Sequence, residues 1–598
     1  MYKDFLPVSR EDMFNRNWYY YDFLLVTGDA YVDHPSFGAA VIGRALEAQG
    51  HRVAVLAQPA YNNCHDFEAM GRPRYAALVT AGNLDSMVAR YTAAKKPRSE
   101  DHYSPGKRVG LRPNRATTVY AKLLNEAFNE LPIIIGGLEA SLRRFAHYDY
   151  WDNEVKKSIL FDARADMLIY GMGENAVCAV AKRLAKGEKI HSITDIRGIA
   201  YITSEKSDCR FSSVVCKSYE QVMSSKKSYA RAAISQYYEH DPIKGKAVIQ
   251  QHGHEYLIVN PPALPLNRSE LDKLYSLPFV RESHPKYEKS GGVSALEEVQ
   301  FSVIHNRGCF GSCNFCALSF HQGRMVTSRS HNSVLSEIES FSNHPKFKGY
   351  VHDIGGPTAN FRNPSCKKQI KEGLCKRCCL VPEPCRNLNT DHNDYLSLLR
   401  KASALPHVKK VFIRSGIRYD FLMHDKSGDF IKELVKNHVS GQLKVAPEHC
   451  TDGVLHYMGK PSIEIFEKFI HRYRKLNASY GKKQYLVPYL ISSHPGSSID
   501  DAIMLAEYLN KSGSVPEQVQ DFYPTPGTLS TCMYYTELDP RTLTPVYVPK
   551  SEAERATQRA LLQWKSPKNK NLVRQTLRKV GRQDLIGYDK SCLVKPQK

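Results

Sequence analysis

The sequence predicts an α/β protein made of two units in series: a doubly wound parallel sheet, then a partial barrel of six β/α repeats. Three observations carry this. Short apolar runs alternate with stretches whose apolar positions recur at helical spacing, first over about residues 20–190 and again from Val299 onward. A mixed stretch with a Pro-rich segment separates the two series. Eight of the fifteen cysteines fall between Cys309 and Cys385, directly after the first strand of the second series.

The first series opens with FLLVTGDA from Phe23, a loop containing Pro and Gly, the helical GAAVIGRALEAQGH and the apolar VAVLAQ, which together make a βαβ unit stopping its helix at Gly50. YAALVTAG, PIIIGGLEASLRR and DMLIYGMGENAV continue it. Such sheets bind ligands at the carboxyl ends of their strands, where Gly136-Gly137 and Gly171 to Glu174 lie; small residues also serve plain turns there. Residues 93–116 read as a basic insertion loop, either solvated or phosphate-contacting. We place the first unit at 1–200 and a connecting region at 201–295, with an amphipathic helix near 219–237.

In the second series VQFSVIHNRG, GYVHDIGGP, VKKVFIRSGI, GQLKVAPEH, YLVPYLISSHPG and VQDFYPTPG are the six strands, with helices between them. This unit spans 296–545, with a Cys-rich insertion at 363–392, and a basic helical tail follows at 546–598. The chain has 598 residues and a formal charge of +22, and its 42% hydrophobic content excludes wholesale disorder. No run approaches the ~20 apolar residues of a spanning helix, and MYKDFLPVSREDMF lacks the halves of an export signal, so we expect a cytoplasmic protein without membrane partners.

In HNRGCFGSCNFCALSFHQGR, Cys309, Cys313 and Cys316 are spaced C-x3-C-x2-C on one short loop. Three thiolates can hold three irons of a cubane cluster and leave the fourth iron open to substrate or cofactor. Gly308, Gly311 and Ser312 suit a loop that wraps a cluster and points amides at sulfide. A structural zinc site would ask for four ligands in C-x2-C pairs.

This loop resembles that of the radical S-adenosylmethionine (SAM) enzymes, with Phe315 as the aromatic residue before the last cysteine. More narrowly, CFGSCNFCALSFHQGR, DIGGPTAN, SGIRYDFL, KVAPEH, ISSHPGSS and QDFYPTPG, in this order, resemble the YgiQ-type radical SAM proteins over nearly the whole chain. The resemblance implies a [4Fe-4S] cluster on Cys309, Cys313 and Cys316, SAM chelated by the free iron, reductive cleavage of SAM, and an electron donor such as flavodoxin or ferredoxin. It implies SAM contacts from Phe315, Gly355, Gly356, Ser415, Arg418 and Glu448, although Pro357 stands where many members carry an acidic residue. The catalytic residues and the substrate stay unknown. His494 reads either as a proton or ligand group or as a satisfied loop histidine.

The insertion CKKQIKEGLCKRCCLVPEPC has little to bury, so a second metal, zinc or an auxiliary iron-sulfur cluster, would order it through Cys366, Cys375, Cys379 and Cys385; free thiols are the bland alternative. The Rossmann-like N-terminal sheet looks like cobalamin-binding domains of some relatives, but the D-x-H-x-x-G motif is absent, with Asp33 and His34 adjacent, so we expect no cobalamin while leaving it open. The positive charge suits nucleic acid, which gives a competing reading: a non-catalytic iron-sulfur or zinc protein that binds RNA.

Overall fold

The computed structural model of the protein describes residues 4–513, 516 and 519–597. Nine strands form the N-terminal sheet: β1 Phe23–Thr27, β2 Val53–Ala57, β3 Ala76–Thr80, β4 Ile133–Ile135, β5 Met167–Ile169, β6 Ile199–Thr203, β7 Ser213–Val215, β8 Ala247–His252 and β9 Glu255–Val259. Their order is 7-8-9-6-5-4-3-1-2. The first five run parallel as 2-1-3-4-5, a doubly wound order whose switch point lies between β1 and β3. The β1 residues are buried on both faces: Leu24 and Val26 pack with the helix Ala116–Ala127, and Phe23 and Leu25 with the helices Gly38–Glu47 and Glu174–Ala185. That two-sided cover is why FLLVT is a continuous apolar run.

The sheet continues past residue 200. β6 pairs antiparallel with β5, and β8 and β9 form an antiparallel hairpin beside it, so residues 201–259 extend the N-terminal unit instead of connecting two units. Short edge strands with polar alternation carry a weaker signal than the buried parallel runs, and the expectation stopped where that signal did.

The second unit contains β10 Ser302–Ile304, β11 Asp353–Gly355, β12 Lys410–Val411, β13 Gln442–Glu448, β14 Tyr485–Ser492 and β15 Gln520–Asp521. β10 pairs with β11, and Tyr350–Val351, just before β11, pairs with β12; β14 lies between β13 and β15, and every pair is parallel. Among the described residues no strand ladder joins β12 to β13, so the six strands stand as two arcs of three. The basic tail is folded: Leu561 from the helix Glu552–Leu562, Trp564 from the turn after it, and Val573 and Leu577 from the helix Lys570–Lys579 pack with Leu505 and Leu509 of the helix Ile499–Ser512.

The two units meet at the end where the N-terminal strands finish. The short helix Leu318–His321, which follows the cysteine loop, packs on Gly137–Leu142, with His321 Nδ1 and Ser141 Oγ 3.0 Å apart. The Arg144 guanidinium lies 3.7 Å from the centre of the Phe320 ring, and Arg307 donates to Glu174 at 2.5 Å.

Candidate functional site

The cysteine loop hangs between Asn306–Arg307 and Thr327–Ser328, which pair antiparallel at its base. Gly308 has φ +79°, and a side chain there would run into the Met325 carbonyl, so the loop needs glycine to enter its turn. Ser312 also has positive φ. A methyl on Gly311 would collide with the Arg418 guanidinium and sit 3.3 Å from Cys309 Sγ. Cys309 and Cys316 are partly buried, and desolvation pushes both thiols up, Cys316 to about 12; each also feels the charge of its neighbours in the loop. Desolvated thiols give up their protons when a metal cation replaces them.

Among the described residues no three Cys, His, Asp or Glu side chains stand together closely enough to hold a metal ion as they are. The loop nonetheless has the chemistry a cluster asks for: three sulfurs close enough to feel one another's charge, backbone amides of Gly311, Leu318 and Ser319 directed at Cys309 and Cys316, and Arg418 Nη1 donating to Cys313 Sγ at 3.3 Å.

Both flanks of this loop line a cavity of about 690 Å³. On the barrel side its wall includes Asn306, Asp353, Gly355, Gly356, Ser415 and Lys444. Gly355 and Gly356 must be bare: a Cβ on the first would strike Ser415 and Asp353, and on the second Asn306 Oδ1. Ser415 bonds through its hydroxyl to Asp353, whose other oxygen accepts the Arg414 amide at 2.9 Å. Burial raises the Asp353 carboxyl, opposed by Ser415 and these amides.

The other expected SAM contacts lie elsewhere. Arg418 does not line the cavity; its Nε gives Asp420 a 2.8 Å bond, its Nη2 meets the second Asp420 oxygen, and its last donor goes to Cys313. Burial opposes the Arg418 charge, but Asp420 and the loop sulfurs outweigh it. Glu448 is also outside the cavity lining, buried at φ +69° with Lys460 4.0 Å away. Phe315 packs edge-on to His494, 6.1 Å between ring centres. His494 is satisfied between Ser530 Oγ and the Pro495 carbonyl, each 2.7 Å away, and burial holds it down at about 3.

Asn306, Asp353 and Lys444 line the cavity without having been singled out from sequence. Strand alternation is the signal that finds them: Ser302, Ile304 and Asn306 share one face, as do Asp353 and Gly355.

In the Cys-rich insertion, Cys379 feels Cys366, Cys385 and Cys378, while Cys375 is exposed and apart. Cys366 caps the helix Lys367–Glu372 by accepting the Gln369 amide. Burial raises the Cys378 thiol, which also feels the charges of Arg541, Arg324, Cys313 and Arg418. The insertion packs onto the cluster loop through Phe310, Phe361, Leu380 and Phe421.

Compared with known proteins, the chain is 54% identical over 592 residues to a UPF0313 protein of Clostridium botulinum (strain ATCC 19397 / Type A), covering 99% of this chain and 92% of that one. The chain belongs to the UPF0313 family, the YgiQ-type radical SAM proteins. A Clostridium perfringens (strain SM101 / Type A) member of the family is 53% identical, over 99% of this chain and 89% of its own. Residues 5–302 match the "Radical SAM N-terminal" family, and 517–598 match a domain of unknown function, DUF3362. Among solved structures, the radical SAM methyltransferase TsrM from Kitasatospora setae with cobalamin and a [4Fe-4S] cluster bound is similar at TM-score 0.47 and 14% identity, over 86% of this chain and 79% of that one. The cobalamin-dependent SAM radical enzyme OxsB with aqua-cobalamin bound gives TM-score 0.47 and 11% identity, over 96% and 62%. The expectation against cobalamin finds no support in these comparisons. Membership in this family implies a [4Fe-4S] cluster and SAM. No helix among the described residues is long and apolar enough to cross a membrane.

Proposed function

We propose that the protein is a radical SAM enzyme whose cluster is held by Cys309, Cys313 and Cys316 and whose SAM lies in the cavity against Gly355 and Gly356. The observation that carries this reading is that Asn306, Arg307, Leu318 and His321, on the two flanks of the three-thiol loop, line the same cavity as Gly355 and Gly356, two glycines with no room for a side chain. When bound, cluster and SAM would supply a one-electron reductive cleavage that yields a carbon radical. The chain's own part is positional. Asn306 and Ser415 flank the bare glycines and offer polar atoms to the methionine and ribose of SAM, and Asp353 holds Ser415 in place. Arg418, fixed by Asp420, stands on a cluster thiolate instead of on SAM. The electron would come from a small donor such as flavodoxin or ferredoxin.

Anaerobically reconstituted protein given dithionite and SAM should release 5′-deoxyadenosine, and Cys313→Ala should stop release by at least a hundredfold. Release that survives the substitution overturns the cluster assignment. No release from the intact cluster-loaded protein would favour the non-catalytic RNA-binding reading. That reading draws on the exposed Lys565, Lys568, Lys570, Arg578 and Lys579, in a stretch from 565 to 583 that has no acidic residue. For the second cysteine group, Cys366, Cys375, Cys379 and Cys385 are the candidate ligands; Cys379 feels the charge of Cys366 and Cys385, and Cys375 is exposed.

A further inference from the structure

The cluster loop is hemmed in by the rest of the protein. Its helix Leu318–His321 lies on the N-terminal unit, and its flanks border the cavity assigned to SAM. Asn314 ties it to the later part of the barrel: its backbone and side-chain N–H groups go to the Met458 and Tyr457 carbonyls, each at 2.9 Å, and its own carbonyl takes the Ser530 amide at 2.9 Å. The Cys-rich insertion covers the loop as well, and there the cover is thin. Phe310, next to Cys309, stacks on Phe361 with ring centres 3.8 Å apart and shares an apolar group with Leu380 of the insertion. Cys309 and Cys379 both pack against that one group. From buried Leu380 the chain reaches exposed Arg377 through the half-buried Cys379 and Cys378. One layer of side chains therefore separates a cluster ligand from the insertion, whose outer face meets water.

That outer face is positive. From Cys366 to Arg386 six Lys or Arg stand against two Glu, and all eight are exposed. One of the two acids is already engaged, Glu372 lying 3.5 Å from Lys368. Ile370, 51% exposed, stands among the lysines of the helix Lys367–Glu372. The face is also held in place, because the buried Asp241 of the N-terminal unit accepts the Leu374 amide at 2.7 Å. A small apolar centre with a cationic rim suits a brief, charge-steered encounter with a negative partner. Single-stranded nucleic acid fits it poorly, since residues 363–392 contain no Phe, Tyr or Trp on which bases would stack.

We propose that this insertion is the docking surface for the electron donor, and that the donor is a small acidic redox protein whose negative rim meets Lys367, Lys371, Lys376 and Arg386. This rests on the radical SAM reading above. The donor loses one electron and the cluster gains it across the Phe310 and Leu380 layer, with no atom or proton transferred.

The test is calorimetric binding of two acidic probes, an oxidised bacterial flavodoxin and an oxidised bacterial ferredoxin, to the reconstituted full-length protein. At least one should bind, and more weakly as salt is raised to about 150 mM. Lys367→Glu combined with Lys371→Glu and Lys376→Glu should weaken that binding by about tenfold or more. The same variant should need more reduced donor to half-saturate 5′-deoxyadenosine release, while dithionite-driven release, the cluster spectrum and the melting temperature stay close to the parent's. Lys565→Glu with Lys568→Glu, on the basic tail, should leave donor binding unchanged. No binding of either probe, undiminished binding to the triple variant, or an equal loss in the tail variant would each overturn the proposal. Displacement of the donor by bulk tRNA, with tRNA binding lost in the triple variant, would make the face a nucleic-acid site and overturn it too. The two readings fail separately: dithionite-driven release without donor binding defeats only this proposal, and donor binding without dithionite-driven release defeats the function.

Discussion

Arg418 is where side-chain geometry changes the chemistry read from position. Its place after the third barrel strand suggests a contact to ribose or carboxylate, but a buried, two-pronged pairing with Asp420 fixes the guanidinium and turns its Nη1 to Cys313. A cationic donor on a cluster thiolate favours the reduced, more negative cluster. Arg418→Gln should therefore lower the midpoint potential of the reconstituted cluster. A charge-assisted bond of about 1.5–3 kcal/mol corresponds to about 60–130 mV, at about 59 mV per 1.4 kcal/mol for one electron. An EPR-monitored redox titration reads this, and an unchanged or raised potential would show that the donor does not act on the cluster. Asp420 could not have been assigned this role from sequence, because nothing in SGIRYDFL says which way the Arg418 side chain turns. The C-x3-C-x2-C spacing itself was legible, because three cysteines on one short loop are a local pattern.

Elements were legible in proportion to their burial. The five parallel N-terminal strands announce themselves as apolar runs because both faces are covered, whereas β6 to β9, added at one side in mixed parallel and antiparallel pairing, do not. The C-terminal helices carry enough Lys and Arg to read as a solvated appendage, yet their apolar stripe is docked. Trp564 is 1% exposed and sits with Leu561, Val573 and Leu577 against the helix Ile499–Ser512. Trp564→Ala should cost about 3–5 kcal/mol of stability and free the end of the chain, read as a lower melting temperature and new proteolytic cuts after residue 550. A variant as stable and as protease-resistant as the parent would show that these helices do not depend on that docking. From Glu552–Leu562, Arg555 also reaches across to the Tyr150 hydroxyl and, at 3.0 Å, to the Ala93 carbonyl, so the C-terminal helices hold the two units together.

At the scale of the whole molecule, burial of histidine sets the acid limit. Desolvation holds His147, His252, His321 and His449 down at about 4 and His305 at about 3, His305 also being pressed by Arg362. In the unfolded chain imidazole titrates near 6.5, so between that value and the folded values the unfolded state binds more protons. Stability is therefore full above about pH 6.5 and falls as the pH drops toward 4, each tenfold loss of proton affinity at a buried ring such as His147 or His305 being worth about 1.4 kcal/mol. Melting temperatures measured from pH 8 to pH 4 should hold steady and then decline below about pH 6.5; a constant melting temperature down to pH 4 would contradict the burial of these rings. The charge of +22 makes a separate prediction about polyanions. If the C-terminal basic face binds nucleic acid, filter retention of bulk tRNA should weaken steeply between about 50 and 200 mM salt, and binding that ignores salt, or none, would remove nucleic acid as a partner.

By itself the sequence determined the two α/β series, the three-cysteine loop after the first barrel strand, and the glycine pair that follows the second, because periodicity, spacing and turn chemistry are local and survive in one dimension. Only the tertiary structure decided that the ends of the N-terminal strands face the barrel across one cavity, that Glu174 pairs with Arg307, that Arg418 turns to Cys313, and that Cys378 comes within the electrostatic reach of Cys313. The Glu174–Arg307 pair alone joins residues 133 positions apart. They are settled by which apolar faces pack and which buried charges find partners, and no short stretch of sequence records that outcome.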